Sequence, residues 1–213
     1  MALPALTSAQ VLTDKPVLYG KNWVAITGKP LAATAGAKIF MQGGNAVDAT
    51  CAMLAAAATM WDTLHWGGET QALIHNPETG EVIGINAMGV APTGATAEYF
   101  SNMGLTYPPE YGPLAATTPG TPGGLMVMLA EYGTMSLAEV LAPAIEMAEG
   151  YPIEAGTVQR INDNAHELIK WPYSKELFLS FDNGRMRGPE VGEIFRQPQL
   201  KATLEKLVAA ERE

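Results

Sequence analysis

The segment His65-Trp66-Gly67-Gly68-Glu69-Thr70 carries the densest group of side chains that could take part in chemistry. It lies between an apolar helical segment and a predicted strand, so we expect a loop at the edge of a layer, where functional residues are common. Backbone amides of glycines can bind an oxyanion, and His65 and Glu69 could contact a ligand. The alternative is that His65 and Trp66 only cover the core, and the pattern leaves both open.

Three other candidates have simpler structural explanations. Cys51 lies inside the apolar helix, where burial would raise its pKa and make it a poor nucleophile. The run Gly120-Thr121-Pro122-Gly123-Gly124 leads into a helix but lacks the lysine of a phosphate-binding loop, so a tight turn is favoured. The hydroxyls of Thr117 and Thr118 have no base placed near them by the pattern, which leaves them weak nucleophiles.

Composition excludes several classes of protein. The chain has 213 residues, 22 of them acidic and 13 basic, so its net charge of -9 does not favour binding to a phosphate backbone. Its low charged fraction of 16% excludes an acidic disordered chain. With one cysteine and three scattered histidines, we expect neither an intrachain disulfide nor a metal site. We find no signal peptide or membrane span and expect a cytoplasmic protein.

The helices and strands that would position the candidate loop are predicted from hydrophobic periodicity and from the residues that begin or end such elements. Asn45 is a favourable N-cap for the apolar helix Ala46–Met60, which belongs in a core. The strands Thr70–His75 and Glu81–Asn86 are joined by a proline- and glycine-containing turn, which predicts a hairpin. The β-rich segment Trp23–Thr27 predicts another strand. Together with the later helices, this order predicts an α+β fold.

The last predicted helix, residues 198–211, has apolar positions that need a partner. They are Leu200, Leu204, Leu207 and Val208. No stop signal ends this helix before Glu213. We therefore expect the chain to be cut from a longer one, or to be one product of a cleavage.

Six segments, taken in order, resemble one known family. The motif Gly43-Gly44-Asn45-Ala46-Val47-Asp48-Ala49 resembles the GGNAVDA signature of gamma-glutamyltranspeptidases. The other segments that resemble the family are Pro30–Gly36, Thr118–Leu125, Tyr132–Leu137, the stretch from Leu141 to Pro152, and Gln197–Leu204. Any one of these segments is a weak signal, but six in the same order are strong, and they cover roughly Asn22 to the end.

The resemblance implies a four-layer αββα sandwich of the N-terminal-nucleophile hydrolase type, with residues 1–213 forming part of the α subunit of a single domain. Such enzymes cleave themselves, and a threonine at the new N-terminus of the β subunit attacks an amide. We therefore expect a β subunit carrying the nucleophile threonine as the partner, no catalytic residue in this chain, and no cofactor.

One departure from the family bears on the substrate. In the transpeptidases the segment matching Asn86–Pro92 contains an arginine that grips the α-carboxylate of the glutamyl donor, and Met88 stands at its position. Methionine carries no charge and cannot make that bidentate contact. The glycine-rich loop is also altered, to Leu64–Thr70. We expect Met88, Asn86, His65, Trp66 and Glu69 to shape the acyl pocket.

These departures favour an amidohydrolase or acylase that cleaves a small amide. Two alternatives stay open. One is a true gamma-glutamyltranspeptidase, or glutathione hydrolase, with a substitute ligand for the carboxylate of a γ-glutamyl-like substrate. The other is a non-catalytic binding or assembly fragment.

Overall fold

The structure of the protein, a computed structural model, describes residues 18–60, 65–182 and 185–211. The described helices are α1 (Pro30–Met41), α2 (Ala46–Thr59), α3 (Ala97–Asn102), α4 (Thr121–Tyr132), α5 (Leu137–Glu149), α6 (Ala155–Asp163), α7 (Ala165–Leu168), α8 (Pro172–Phe178) and α9 (Pro198–Ala210). The described strands are β1 (Thr70–His75), β2 (Val82–Ala87), β3 (Tyr151–Pro152), β4 (Ser180–Asp182), β5 (Arg185–Arg187) and β6 (Ile194–Phe195).

Helix α2 lies at the centre of the core and packs against α1, α4 and α5. Most residues of this helix are buried, and half of them are alanine, which allows neighbouring helices to approach closely. Cys51 is fully buried within this packing, where its thiol lies 3.8 Å from the carbonyl oxygen of Leu125. Burial, with a contribution from the charge of Asp48, raises the pKa of the Cys51 thiol to about 12. The interpretation of Cys51 as a structural residue is confirmed.

The GGNAVDA motif fixes the start of α2 through side-chain hydrogen bonds. Asn45 is the N-cap, and its side chain accepts hydrogen bonds from the amides of Val47 and Asp48. The fully buried Asp48 carboxylate accepts from the Asn45 amide at 2.7 Å, the Thr134 amide at 2.8 Å, the Thr134 hydroxyl at 2.6 Å and the Met135 amide at 3.1 Å. It thereby ties the start of α2 to the connection between α4 and α5, which lies 86 residues away in the chain.

Strands β1 and β2 form the predicted antiparallel hairpin, with Thr70 opposite Ala87 and His75 opposite Val82. Because successive side chains alternate between faces, Ala72, Ile74 and Ile85 pack against the helical core. The opposite face includes Gln71 and Leu73, which are exposed. The hairpin therefore covers the helices with one face and presents the other outward.

Helix α9 does not leave its apolar positions open, so the expectation that they need an external partner is wrong. The helix packs against α5, Leu204 is fully buried, and Leu200, Leu207 and Val208 pack against the core. Beyond the helix, the Glu211 carboxylate accepts from the amides of Leu137 at 2.5 Å and Ala138 at 3.3 Å. Negative charge at the N-terminus of α5 is favourable because the amides there lack helical partners.

The strand predicted at Trp23–Thr27 is wrong. The segment forms no strand, and within the described residues its backbone makes no ladder with another segment. The Trp23 ring stacks instead on Phe40 of α1, with ring centroids 5.0 Å apart. A β-rich composition indicates only that a segment has a propensity for strand structure. A strand forms only if another segment pairs with it. In the part of the chain that the structure describes, no helix is long and apolar enough to cross a membrane.

Candidate functional site

Three loops meet at the end of the hairpin where β1 begins and β2 ends. The carbonyl oxygen of Gly68 accepts hydrogen bonds from the amides of Gly120 at 2.8 Å and Thr121 at 3.0 Å. The Thr118 amide donates to the carbonyl oxygen of Val90 at 2.9 Å. Below them, the buried hydroxyls of Thr70 and Thr121 lie 3.0 Å apart. These contacts hold the loop before β1, the segment after β2 and the turn before α4 as one unit.

The glycines of the turn before α4 are needed for close backbone approach. A Cβ added at Gly120 would lie 2.2 Å from the carbonyl oxygen of Ala87 and 3.0 Å from the Gly89 amide nitrogen. A Cβ added at Gly89 would lie 2.4 Å from the carbonyl oxygen of Thr118. The turn is therefore structural, as its sequence predicts, and it fixes the position of the residues that follow β2.

Replacing Gly120 with alanine is expected to destabilise the protein by about 1–3 kcal/mol, because the new methyl group forces the turn and the end of β2 apart. Gly123 offers a matched control in the same segment, since a Cβ there meets no atom within 4 Å and the residue lies in α4. Gly123→Ala should be neutral or stabilising by up to about 1 kcal/mol. Midpoints of urea unfolding for the two variants measure the difference, and equal midpoints would contradict the steric explanation.

A cavity of about 400 Å³ lies beside the three loops that these hydrogen bonds hold together. It is lined by His65, Gly68, Glu69, Thr70, Gln71, Met88 and Thr117. Three of the predicted pocket residues, namely His65, Glu69 and Met88, are thus brought together although they come from segments on opposite sides of the hairpin.

Asn86 and Trp66 lie outside the lining of this cavity. The Asn86 side chain accepts from the Met88 amide at 3.2 Å, so it shapes the turn that carries Met88. It lines a neighbouring cleft of about 540 Å³, which Gln71 and Met88 also border. Trp66 is half-buried and packs against the hydrophobic core. Leu64, the first residue of the altered loop, lies outside the described residues.

Gln71 is a cavity residue that the sequence reasoning missed. It lies on the outward face of β1 opposite Asn86, and its side-chain amide donates to the Met88 sulfur at 3.0 Å. Thioether sulfur is a weak acceptor, so this contact is easily exchanged for a better one from a ligand. The strand alternation could have identified Gln71, because it shares its face with Leu73 and His75.

The charge of the cavity is carried by Glu69. No lysine or arginine lines the cavity among the described residues. Burial, and secondarily the positive charge of Arg160, lowers the pKa of the His65 imidazole. Its ordinary value is already about 6.5, so the imidazole is neutral at pH 7. The described wall therefore combines one carboxylate with neutral polar groups and the thioether of Met88.

Comparison with known proteins supports the resemblance that the motifs indicate. A family model described as gamma-glutamyltranspeptidase matches residues 32–213. The chain belongs to the gamma-glutamyltranspeptidase family.

Several relatives within this family have different named activities. The chain is 32% identical to the acylase ACY 1 proenzyme of Pseudomonas sp. (strain SE83), over 98% of this chain and 38% of that protein. It is 31% identical to the glutathione hydrolase-like YwrD proenzyme of Bacillus subtilis, over 88% of this chain and 35% of that protein. It is 32% identical to the oxamate amidohydrolase proenzyme of Klebsiella pneumoniae, over 87% of this chain and 35% of that protein.

Solved structures of the family have the same fold over this region. The gamma-glutamyltranspeptidase of Helicobacter pylori superposes with a TM-score of 0.83 at 33% identity, over 92% of this chain and 56% of that one. A cephalosporin acylase from Bacillus halodurans superposes with a TM-score of 0.76 at 30% identity, over 94% of this chain and 40% of that one. The predicted α+β fold, in which this chain supplies part of an N-terminal-nucleophile hydrolase, is confirmed.

The family assignment establishes an enzyme family of hydrolases and transferases. It does so for a partial chain, because the chain spans less than two fifths of the length of the curated relatives it matches. The activities for which those relatives are named differ in their substrates, so family membership alone leaves the acyl group open.

Proposed function

We propose that the chain is the α-subunit portion of an autoprocessed amide hydrolase or acylase that cleaves a small amide. The nucleophile in this proposal is an N-terminal threonine on a separate β chain. The observation that carries the proposal is the position of Met88, which lines the cavity where the family resemblance expects an arginine. A thioether cannot replace the paired hydrogen bonds of a guanidinium group to a carboxylate.

The cavity wall supports a substrate other than a γ-glutamyl compound. A glutamyl donor would bring its α-carboxylate next to Glu69 and a neutral imidazole, with no lysine or arginine on the described wall. Like charges close together destabilise a complex. Relatives named as an acylase and as an oxamate amidohydrolase are as similar to the chain as the one named glutathione hydrolase-like.

The outward face of the hairpin supports the partner in the proposal. Leu73 and Val82 lie on this face with exposed fractions of 80% and 63%. A sheet that presents large apolar side chains needs a second layer, and packing of sheet on sheet is one stable solution. In the proposed enzyme, the β chain supplies that second sheet and brings its threonine toward the loop end of the hairpin.

Mass spectrometry of the full-length gene product tests the autoprocessing. We expect two chains, the second of which begins with threonine. A single uncleaved chain, or a new N-terminus without a nucleophilic hydroxyl, would refute autoprocessing. Hydrolysis of a panel of anilides by the processed protein then tests the reaction, and we expect release of the aniline from acyl groups that lack a carboxylate.

A true gamma-glutamyltranspeptidase is the second candidate function. The similarity to the gamma-glutamyltranspeptidase of Helicobacter pylori favours it. It would require a carboxylate ligand that is not among the described lining residues of this cavity. Efficient hydrolysis of a γ-glutamyl anilide, with poor hydrolysis of the other acyl groups, would establish this function and exclude the first one.

A further inference from the structure

The cavity beside the hairpin has an unbalanced charge. Glu69 contributes a carboxylate to its wall, and Glu69 makes no ion pair with any residue that the structure describes. The other polar side chains of the wall are those of Gln71, Thr70, Thr117 and His65. A carboxylate that makes no ion pair attracts a positive charge, and because Glu69 is exposed, we expect that attraction to have the modest strength of a partly exposed pair.

The polar groups around Glu69 are arranged so that they do not neutralise it. The Thr70 hydroxyl is hydrogen-bonded to that of Thr121, and the Gln71 side-chain nitrogen donates to the Met88 sulfur at 3.0 Å. The amide of Gln71 carries an oxygen as well as a nitrogen, so it offers an acceptor to a ligand that carries N–H groups. Glu69 and Gln71 together thus present acceptors, and Met88 presents a surface for methylene groups.

Building on the proposed function, we infer that the cavity selects acyl groups that carry an ammonium group and lack a carboxylate, and that Glu69 is the residue that discriminates between them. An aliphatic chain would lie along Met88, and its terminal ammonium would pair with the Glu69 carboxylate. A terminal carboxylate in the same place would meet a like charge.

Three nitroanilides that differ only in the terminal group of the acyl chain test this inference. They are γ-aminobutyryl, pentanoyl and glutaryl nitroanilide, which end in ammonium, methyl and carboxylate. With the full-length processed enzyme, kcat/KM should be highest for the first and lowest for the third. We expect about a three- to fivefold preference for ammonium over methyl, the size of one partly exposed ion pair.

The variant Glu69→Gln should remove this preference, so that kcat/KM for the γ-aminobutyryl compound falls to about the value for the pentanoyl compound. Glu131→Gln is the matched control, because it removes the same charge from α4, where the side chain lines a different cavity. This control variant should keep the wild-type order. Thermal unfolding midpoints of both variants check that the fold is intact.

The inference is overturned if the glutaryl compound is hydrolysed as well as the γ-aminobutyryl compound, or if Glu69→Gln and Glu131→Gln change the order equally. Calorimetric titration with the three corresponding primary amides gives a readout independent of turnover. If no anilide is hydrolysed, the proposed function fails, and the order of binding still decides the charge preference. Equal binding of the ammonium and carboxylate amides would then refute the inference by itself.

Discussion

Asp48→Asn is expected to lower the free energy of unfolding by about 2–4 kcal/mol, the largest effect on stability that we predict. The carboxylate is fully buried and accepts four hydrogen bonds. An asparagine can keep one acceptor oxygen, but its NH2 group would face the Asn45 amide and leave that partly buried donor unpaired. Loss of a charged hydrogen bond costs about 1.5–3 kcal/mol, and an orphaned donor adds to that cost. Urea unfolding at pH 7, followed by circular dichroism, measures the loss.

Glu139→Gln is the matched control for this variant. Glu139 occupies the same third helical position in the capping box of α5, but it is exposed to solvent. We expect a loss of no more than about 1 kcal/mol there, since water can replace the missing contacts. Equal losses of the free energy of unfolding for the Asp48 and Glu139 variants would contradict the idea that burial strengthens the hydrogen bonds of Asp48.

The stability from Asp48 should also depend on pH. Burial, the largest influence, raises the pKa of the Asp48 carboxyl, but the hydrogen bonds from Thr134, Asn45 and Met135 together hold it below its ordinary value. Because the folded pKa is below the unfolded one, the stabilisation is fully present above the unfolded value of about 4. It is lost as pH falls through the folded value. The free energy of unfolding of the native protein should therefore approach that of Asp48→Asn as the pH falls below about 4.

Met88→Arg is expected to give the largest change in substrate preference. In the processed enzyme, kcat/KM for a γ-glutamyl anilide should rise by about one to two decades, because a charged hydrogen bond contributes about 1.5–3 kcal/mol. Met88 is 41% exposed at the cavity, so a guanidinium group can be accommodated without repacking the core. Steady-state kinetics on the γ-glutamyl and pentanoyl anilides measures the change, and only the former should gain.

Two further variants sharpen this experiment. Met88→Lys supplies a point charge without the planar, two-pronged donor group of arginine. It should therefore raise kcat/KM for the γ-glutamyl anilide less than Met88→Arg does. Met88→Arg combined with Glu69→Gln should give a larger gain, because Glu69 shares the cavity and would compete for the guanidinium group. If Met88→Arg leaves the γ-glutamyl rate unchanged, the residue does not occupy the carboxylate site that the resemblance assigns to it.

The features that the sequence predicts correctly are those whose causes are local. Asn45 is the N-cap of α2, as its residue type predicts, and the acidic side chain three residues later completes a capping box. The hairpin turn at residues 76–80 is equally local, with Gly80 at a φ of 74°. The strand at Trp23–Thr27 fails because its formation depends on a partner that no local pattern can reveal.

The cavity itself was decided by tertiary structure. The sequence indicates that His65, Glu69 and Met88 are candidates, and the family motifs indicate the class of enzyme. The sequence alone does not reveal that Gly68 binds the turn before α4, or that Gln71 contacts Met88 across the cavity. It also assigns to the acyl pocket two residues, Trp66 and Asn86, that lie outside the cavity lining.

The sequence by itself thus determined helices such as α2 and α9, the hairpin and the family, because capping, turns and motifs are short-range patterns. The tertiary structure alone decided which side chains share one cavity and what net charge they give it. The physical reason is that the three loops beside the cavity are held together by backbone contacts such as that between Gly68 and Gly120, which are 52 positions apart in the sequence. The close approach of glycine backbones has no side-chain pattern that a sequence can display.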